Sequence, residues 1–406
     1  MRGGLDRPVL LALSERELPW KGLHMSDMTG HAGESFVAYL KDRLPLIERA
    51  LHEADAVAMS HEGAPTEDLD RYLYAPLAHF TAGGGKRVRP VLALLGAEAV
   101  GGCADQALSC GVAIELFQSA ALIHDDIADA SELRRGEPCL YRTEGLGLAI
   151  NAGDLALTRV FEIVLADGSL PAARRLLVLE ELVRMERHTL EGQALDLGWA
   201  RNGRWDVTSD DYLYMIDGKT AWYTVASPLY AGALAAGAEP DAVRGLIEVG
   251  LPAGLAFQLQ DDLLNLVGDA DAQGKDFRSD ITEGKRTLAV VWALEHLGGA
   301  ERSELVELLE SGTADTSRLA RAVELIELGG GIDKCRELAA GKTAEAQKRA
   351  RELAERASLP PRRPSCSFPW RISSSIAARK GPHSAKSIKP FPKRHTYLAF
   401  AQDFEK

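Results

Sequence analysis

Strand-forming sequence is nearly missing from this 406-residue chain: no stretch of alternating Val, Ile and Thr is long enough for a convincing β-strand. Sandwiches and barrels are thereby excluded as the main architecture. Cysteines are few and unpatterned. Cys103, Cys110, Cys139, Cys335 and Cys366 contain no CxxC pair and no Cys/His metal spacing, and an odd number in a long chain points to a reducing cytosol rather than a disulfide framework. Apolar runs stay well below the ~18 residues of a membrane span. The N-terminal stretch VLLAL, flanked by Asp6 and Glu15, is too short for a secretory signal. An excess of positive charge is lacking as well, and a net charge of −12 argues against a nucleic-acid binder.

What the chain does hold is apolar helical sequence. Hydrophobic residues make up 46%, enough for a large core. SFVAYLKDRLPLIERALHEAD, DQALSCGVAIELFQSAALIHDDIADA and RRLLVLEELVRMERHTLEGQALDL repeat apolar residues at steps of three and four. Gly, Pro, Asp and Asn punctuate them in AGGGKRVRP, ADGSLP, GAEPD, GDADAQGKD and LGGG. The expectation is an all-α bundle of ten or more helices over residues 31–358. Residues 1–30 read as a leader, disordered or an over-long start ahead of Met25 and Met28. From Pro361 to Lys406 ten Lys/Arg face two Asp/Glu, so the body carries −20 and the tail +8. Residues 359–406, rich in Pro and Ser, read as a disordered basic tail.

Two acidic runs dominate the helical body: LIHDDIADASELRRG around Asp125 and FQLQDDLLNLVGD around Asp261. Asp125 and Asp129 are four apart, which on a helix puts them on one face, ~6 Å apart at Cβ, with Asp126 turned aside. Like charges in an apolar segment call for a cation, and Mg²⁺ carrying a phosphate suits them because it bridges one or two carboxylates to phosphate oxygens. Arg134 and Arg135 follow at once and suit bidentate phosphate recognition. The second run repeats the logic with Asp261, Asp262 and Asn265, then Asp269, Lys275, Asp280, Lys285 and Arg286. Upstream, GGGKRVRP sets Lys86, Arg87 and Arg89 beside permissive glycines. It is no Walker A loop, having neither GK[ST] nor a preceding strand. Gln193 and Asp196 in GQALDL, and Lys219 and Thr220 in GKTAWY, are polar groups on otherwise apolar helices.

In this order across some 200 residues, GGGKRVRP, DDIADxxxxRRG, GQALDL, GKTAWY, FQLQDDLLN and GKDFRSDITEGKRT resemble the trans-isoprenyl diphosphate synthases, the polyprenyl synthetase family, from about Ala75 to Thr287. The resemblance implies an isoprenoid-synthase-type bundle around a deep cavity, a homodimer in the cytoplasm, and three Mg²⁺ held between two aspartate-rich helices. Asp125, Asp129 and Asp261 would be metal ligands, supported by Asp126, Asp262 and Asp196. Lys219, Lys285 and Arg134 would hold an allylic diphosphate, with Lys275 also among the diphosphate-binding residues. Gln258 and Thr220 would line its reacting end. Lys86, Arg89, Arg135 and Gln118 would hold isopentenyl diphosphate.

Product length in such enzymes is read from the helix before Asp125. Ala120 and Ala121 are small where short-chain members tend to carry an aromatic floor, and Phe117 lies eight positions up, about 12 Å away at ~1.5 Å per residue. A geranylgeranyl product follows from this reading, with farnesyl or a longer chain as alternatives. Two departures stand against the family pattern: Asn265 replaces the last aspartate of the second run, and no recognisable closing helix follows Glu355. They favour a rival, a non-catalytic subunit of a heteromeric synthase. A terpene cyclase shares the metal logic but should lack the basic GGGKRVRP segment.

Overall fold

The computed structural model describes residues 31–55, 63–268 and 277–356. The proposed leader and tail, Asp269, Lys275 and any segment closing the bundle beyond Arg356 lie outside the described residues. Helices account for nearly all of it: α1 (His31–Asp55), α2 (Thr66–Leu69), α3 (Ala75–Ala82), α4 (Val88–Ala99), α5 (Leu108–Ala128), α6 (Leu140–Thr143), α7 (Leu146–Ala166), α8 (Ala172–Arg201), α9 (Ser209–Ile216), α10 (Ser227–Ala235), α11 (Pro240–Val243), α12 (Gly245–Val267), α13 (Ser279–Thr282), α14 (Leu288–His296), α15 (Gly299–Glu310), α16 (Thr316–Leu328) and α17 (Gly331–Arg356). The all-α expectation holds. Among the described residues the sheet is a single two-stranded hairpin, β1 (Leu133–Arg134) with β2 (Glu137–Pro138).

Two large apolar clusters organise the bundle, and α12 belongs to both. Its N-terminal half, through Leu246, Val249 and Ala253, packs with α4, α5, α8 and α10. Its C-terminal half, through Leu255, Leu259, Leu263 and Leu266, packs with α9 and α14–α17. The acidic end of α12 therefore emerges at the seam between the clusters. A π-helical segment, Asp217–Ala226, crosses the same seam, with Val225 in one cluster and Ala221 in the other. Such wide turns inside helices are frequent at functional sites. Two glycines let neighbours approach it: a Cβ on Gly192 of α8 would overlap the backbone of Lys219, and one on Gly254 of α12 would overlap Ala221.

Among the described residues one stretch is by length and composition apolar enough to cross a membrane, contrary to the sequence reading: Ala104–Ala128, which contains α5. Its apolar window is 78% buried inside the protein, as befits the central helix of a bundle. Among the described residues Cys110, Cys139 and Cys335 are free and buried.

The core also hides an acid. Glu181 of α8 is buried, accepts from Ser227 Oγ, and accepts from Arg184 Nη1 at 2.9 Å. Burial pushes its carboxyl up to about 7, against the pull of those two donors. The folded chain thus binds this proton more tightly than the unfolded one. The contribution to stability is complete below the unfolded pKa and is lost as pH rises through about 7. At ~1.4 kcal/mol per unit the loss between pH 5 and 8 is roughly 2–3 kcal/mol. Urea titrations at pH 5 and pH 8 should show a shallower pH dependence for Glu181→Gln; an unchanged slope would show that Glu181 is not the group responsible.

Candidate active site

The first acidic run ends α5. Asp125 lies in its last turn and Asp129 is the residue that terminates it. Asp125 Oδ1 accepts from Gln193 Nε2 at 2.6 Å, which ties it to GQALDL on α8. Asp126 turns aside as the spacing predicts and is buried against Arg134. Arg134 Nε donates to its Oδ1 at 2.9 Å and Nη2 at 2.5 Å. Arg134 therefore braces the acidic turn, a partner that sequence reasoning did not assign to it, while its side chain stays partly exposed.

The second run ends α12. Asp261 opens onto a cavity, while Asp262 is buried and accepts from Tyr212 Oη and, at 2.8 Å, from Gln258 Nε2. Gln258 Oε1 in turn accepts from Thr220 Oγ1 at 2.9 Å. Thr220, Gln258 and Asp262 thus form one chain linking the π-helical segment to α12. Asp262 is a structural acid in this arrangement, held behind Asp261.

Two lysines stand between the runs. Lys219 Nζ donates to Asp196 Oδ2 at 2.5 Å, and although burial opposes its charge, Asp196 and Asp125 keep its pKa raised. Lys285 Nζ lies 2.5 Å from Glu283, 3.6 Å from Asp280 and 3.8 Å from Asp129. It spans from the chain after α12 to the end of α5. Even so, burial raises the pKa of Asp125, Asp129 and Asp261, with repulsion from Asp129 and Asp196 adding to it at Asp125 and from Glu283 and Asp196 at Asp129. The acids exceed what these lysines compensate.

On the far side of Asp261 lies a cavity of about 300 Å³ lined by Lys86, Arg89, Gln118, Arg135 and Asp261. It gathers the four residues that the sequence assigned to a second diphosphate, drawn from three separate segments. Arg89 is fixed by donating from Nη2 to Tyr223 Oη and Thr224 Oγ1, both at 2.9 Å, and its guanidinium lies 4.3 Å over the Tyr223 ring. Among the described residues Arg89 Nε is buried without a hydrogen-bond partner. Arg135 sits in the two-residue turn between β1 and β2, where it has φ +55° and Gly136 φ +82°. Both positive values fit a type I′ hairpin turn, which suits Gly136 and costs Arg135 ~1–2 kcal/mol. Burial and the neighbouring Arg87 lower the Arg135 pKa. Crowded guanidiniums with an unsatisfied donor suit an anion.

Other cations serve the fold. Arg87 is buried and donates to Glu115 at 2.7 Å, Glu48 at 2.8 Å and the Thr81 carbonyl at 2.8 Å. Arg286 stacks 3.8 Å over Trp205 and bonds the Arg204 and Gly284 carbonyls, bracing a loop. Of the length-determining candidates, Phe117 is 2% exposed with its ring edge on Tyr223 at 5.7 Å, Ala120 is buried beside Leu77 and Ile123, and Ala121 is half-buried. Tyr212, Tyr223 and Thr224 were invisible to sequence reasoning, since each meets its partner across 50 or more residues.

Among the described residues no three acidic, histidine or cysteine side chains converge as a ready-made metal site. That suits Mg²⁺, which takes one or two carboxylates and completes its shell with phosphate oxygens and water. The buried, under-compensated Asp125, Asp129 and Asp261 fit such an ion.

Two acidic helix ends linked through Lys285, one of them opening onto a cation-lined cavity, in an all-α bundle define the class of isoprenoid-synthase-type proteins. Residues 70–326 match the polyprenyl synthetase family, and the chain belongs to it. It is 40% identical over 279 residues to a short chain isoprenyl diphosphate synthase of Methanothermobacter thermautotrophicus, covering 68% of this chain and 83% of that protein. The crystal structure of geranylgeranyl pyrophosphate synthetase from Pyrococcus horikoshii is similar at TM-score 0.69 and 34% identity, over 79% of this chain and 96% of the other. A geranylgeranyl pyrophosphate synthase from Corynebacterium glutamicum, solved with isoprenyl diphosphate and magnesium, is similar at TM-score 0.65 and 27% identity, over 80% and 98%.

Proposed function

We propose that this chain is a Mg²⁺-dependent prenyltransferase that condenses an allylic diphosphate with isopentenyl diphosphate, head to tail, into a short-chain all-trans prenyl diphosphate. The observation that carries this reading is the basic cavity beside Asp261: two anion sites, one acidic and metal-ready and one cationic, meet at that residue. A terpene cyclase has no use for the second.

Bound Mg²⁺, three ions by the family resemblance, supplies the positive charge that draws electrons from the allylic C–O bond. Asp125, Asp129 and Asp261 would hold it, and Asp196 orients Lys219. Lys219 and Lys285 receive the allylic diphosphate as it accumulates charge. Lys86, Arg89, Gln118 and Arg135 fix isopentenyl diphosphate so that its double bond attacks the allylic carbon. A C–C bond forms, diphosphate leaves, and a proton passes to the departing diphosphate. Thr220 and Gln258, locked to each other, bound the reacting carbons, and apolar walls exclude the water that would quench the cation.

Purified protein given Mg²⁺, isopentenyl diphosphate and allylic diphosphates of increasing length should yield elongated diphosphates on chromatography. Hydrocarbon products would indicate a cyclase, and absence of turnover would favour the non-catalytic subunit.

Geranylgeranyl diphosphate is the proposed product. On this reading the small Ala120 and Ala121 set no bulk below Asp125, and the Phe117 ring, edge-on to Tyr223, would close the end. Phe117→Ala should lengthen the product by one or more C5 units, and Ala121→Phe should shorten it. Unchanged chromatograms for both would remove this wall from the length question.

A homodimer is the proposed assembly. Leu176, Val183, Leu190 and Leu197 are exposed at seven-residue intervals along α8, beside exposed Leu146, Ile150 and Leu165 of the adjoining α7. A heptad interval keeps to one helix face, and so continuous an apolar ridge calls for a partner. Sedimentation should give twice the chain mass, and Val183→Arg with Leu190→Arg should give the monomer; a wild-type monomer would refute the assembly.

A further inference from the structure

Asn265 occupies the place where the second acidic run loses a carboxylate, four residues after Asp261 on α12. Its side chain is engaged with the segment entering α13. Nδ2 donates to Ser279 Oγ at 3.0 Å, and Oδ1 accepts from Asp280 N at 3.2 Å. Its backbone carbonyl also accepts from Arg278 N at 2.9 Å. One residue thereby fastens three consecutive residues to the last turns of α12. The fastened turn is an unfavourable one, with Arg278 at φ +63°, so it needs support from outside itself.

From Asp280 the path to the site is short. Its carbonyl accepts from Lys285 N at 2.8 Å, and its carboxylate lies 3.6 Å from Lys285 Nζ. That ammonium is the group reaching Asp129 at 3.8 Å. We propose that Asn265 is a positioning residue whose amide fastens the Arg278–Asp280 turn to α12 and so sets Lys285 opposite Asp129, rather than a weakened metal ligand. The role of Lys285 in this statement rests on the diphosphate-synthase reading above. The amide suits the task because it both donates and accepts, whereas a carboxylate only accepts. An aspartate here would also add a negative charge beside Asp261, Asp262 and Asp280, repelling the residue it should hold.

Three variants of the full chain test this, with steady-state kinetics, Mg²⁺ titration and amide hydrogen exchange. Asn265→Ala should speed exchange at the Asp280 amide and raise KM for the allylic diphosphate roughly tenfold, about one hydrogen bond's worth, with KM for isopentenyl diphosphate unchanged. Ser279→Ala, a change outside the acidic run, should raise the same KM a few-fold. Asn265→Asp should leave the half-saturating Mg²⁺ concentration equal or higher. A lower Mg²⁺ requirement in Asn265→Asp, or an allylic KM unmoved in Asn265→Ala, would overturn the proposal. The exchange measurement needs no turnover: unchanged Asp280 exchange in Asn265→Ala refutes the tether itself. Absence of prenyl transfer in the unaltered chain would refute the functional reading instead.

Discussion

Asp125→Asn should lower kcat for prenyl transfer by roughly a hundred- to a thousand-fold, the scale of losing one charge-stabilising group aimed at a transition state. Asn keeps the shape of Asp125 and its oxygen for the 2.6 Å bond from Gln193, so α5 and α8 should stay in place. What it loses is the charge facing Lys219 across the site, and with it a hold on Mg²⁺. Extra Mg²⁺ should restore only part of the rate. Stability should move the other way. Burial, with the neighbouring Asp129, raises the Asp125 pKa, so folding costs the ionised carboxylate more than the neutral form. Asn mimics that neutral form, and the thermal midpoint without Mg²⁺ should stay level or rise. A variant retaining wild-type kcat would remove Asp125 from the ionising step, and one that unfolds early would point to a structural role.

Arg89→Ala should raise KM for isopentenyl diphosphate about a hundred-fold or more. Two charge-assisted hydrogen bonds at ~1.5–3 kcal/mol each give at least this factor at 1.4 kcal/mol per decade. The guanidinium is pre-set by Tyr223 and Thr224, so little ordering cost attends binding. KM for the allylic substrate should change little, because Lys219 and Lys285 stand on the other side of Asp261. Arg89→Lys should fall between, keeping charge without the fork. A variant raising both KM values equally would mean that Arg89 braces the fold through Tyr223 instead of holding one substrate.

Much of the site was legible because its chemistry is local. Asp125 and Asp129 are four apart, Lys86 and Arg89 three apart, and a helix or turn converts such intervals into shared faces without help from distant chain. The all-α architecture was legible for the same reason, since three- and four-residue apolar steps admit few alternatives. Arg134 was read only in part. Proximity to the acids was evident, yet whether its fork meets a phosphate or Asp126 depends on the β1–β2 hairpin, whose turn places it. Asp262 was read as supporting Asp261 at the metal, and only the packing of α9 against α12 puts Tyr212 over it.

The sequence by itself determined which groups this protein brings to its chemistry: two carboxylate runs, the lysines after them, and a glycine-flanked basic segment. Tertiary structure alone decided the division of labour among them. Asp261 faces the cavity while Asp262 is sealed behind it, Arg87 at the cavity wall is paired with Glu115 while Arg89 keeps an unpartnered Nε, and Asn265 turns from a missing ligand into a fastening. The physical reason is that charge is a property of a residue, whereas burial and hydrogen-bond partners belong to pairs of segments. Those pairs form only when α5, α8, the π-helical segment and α12 close on one another.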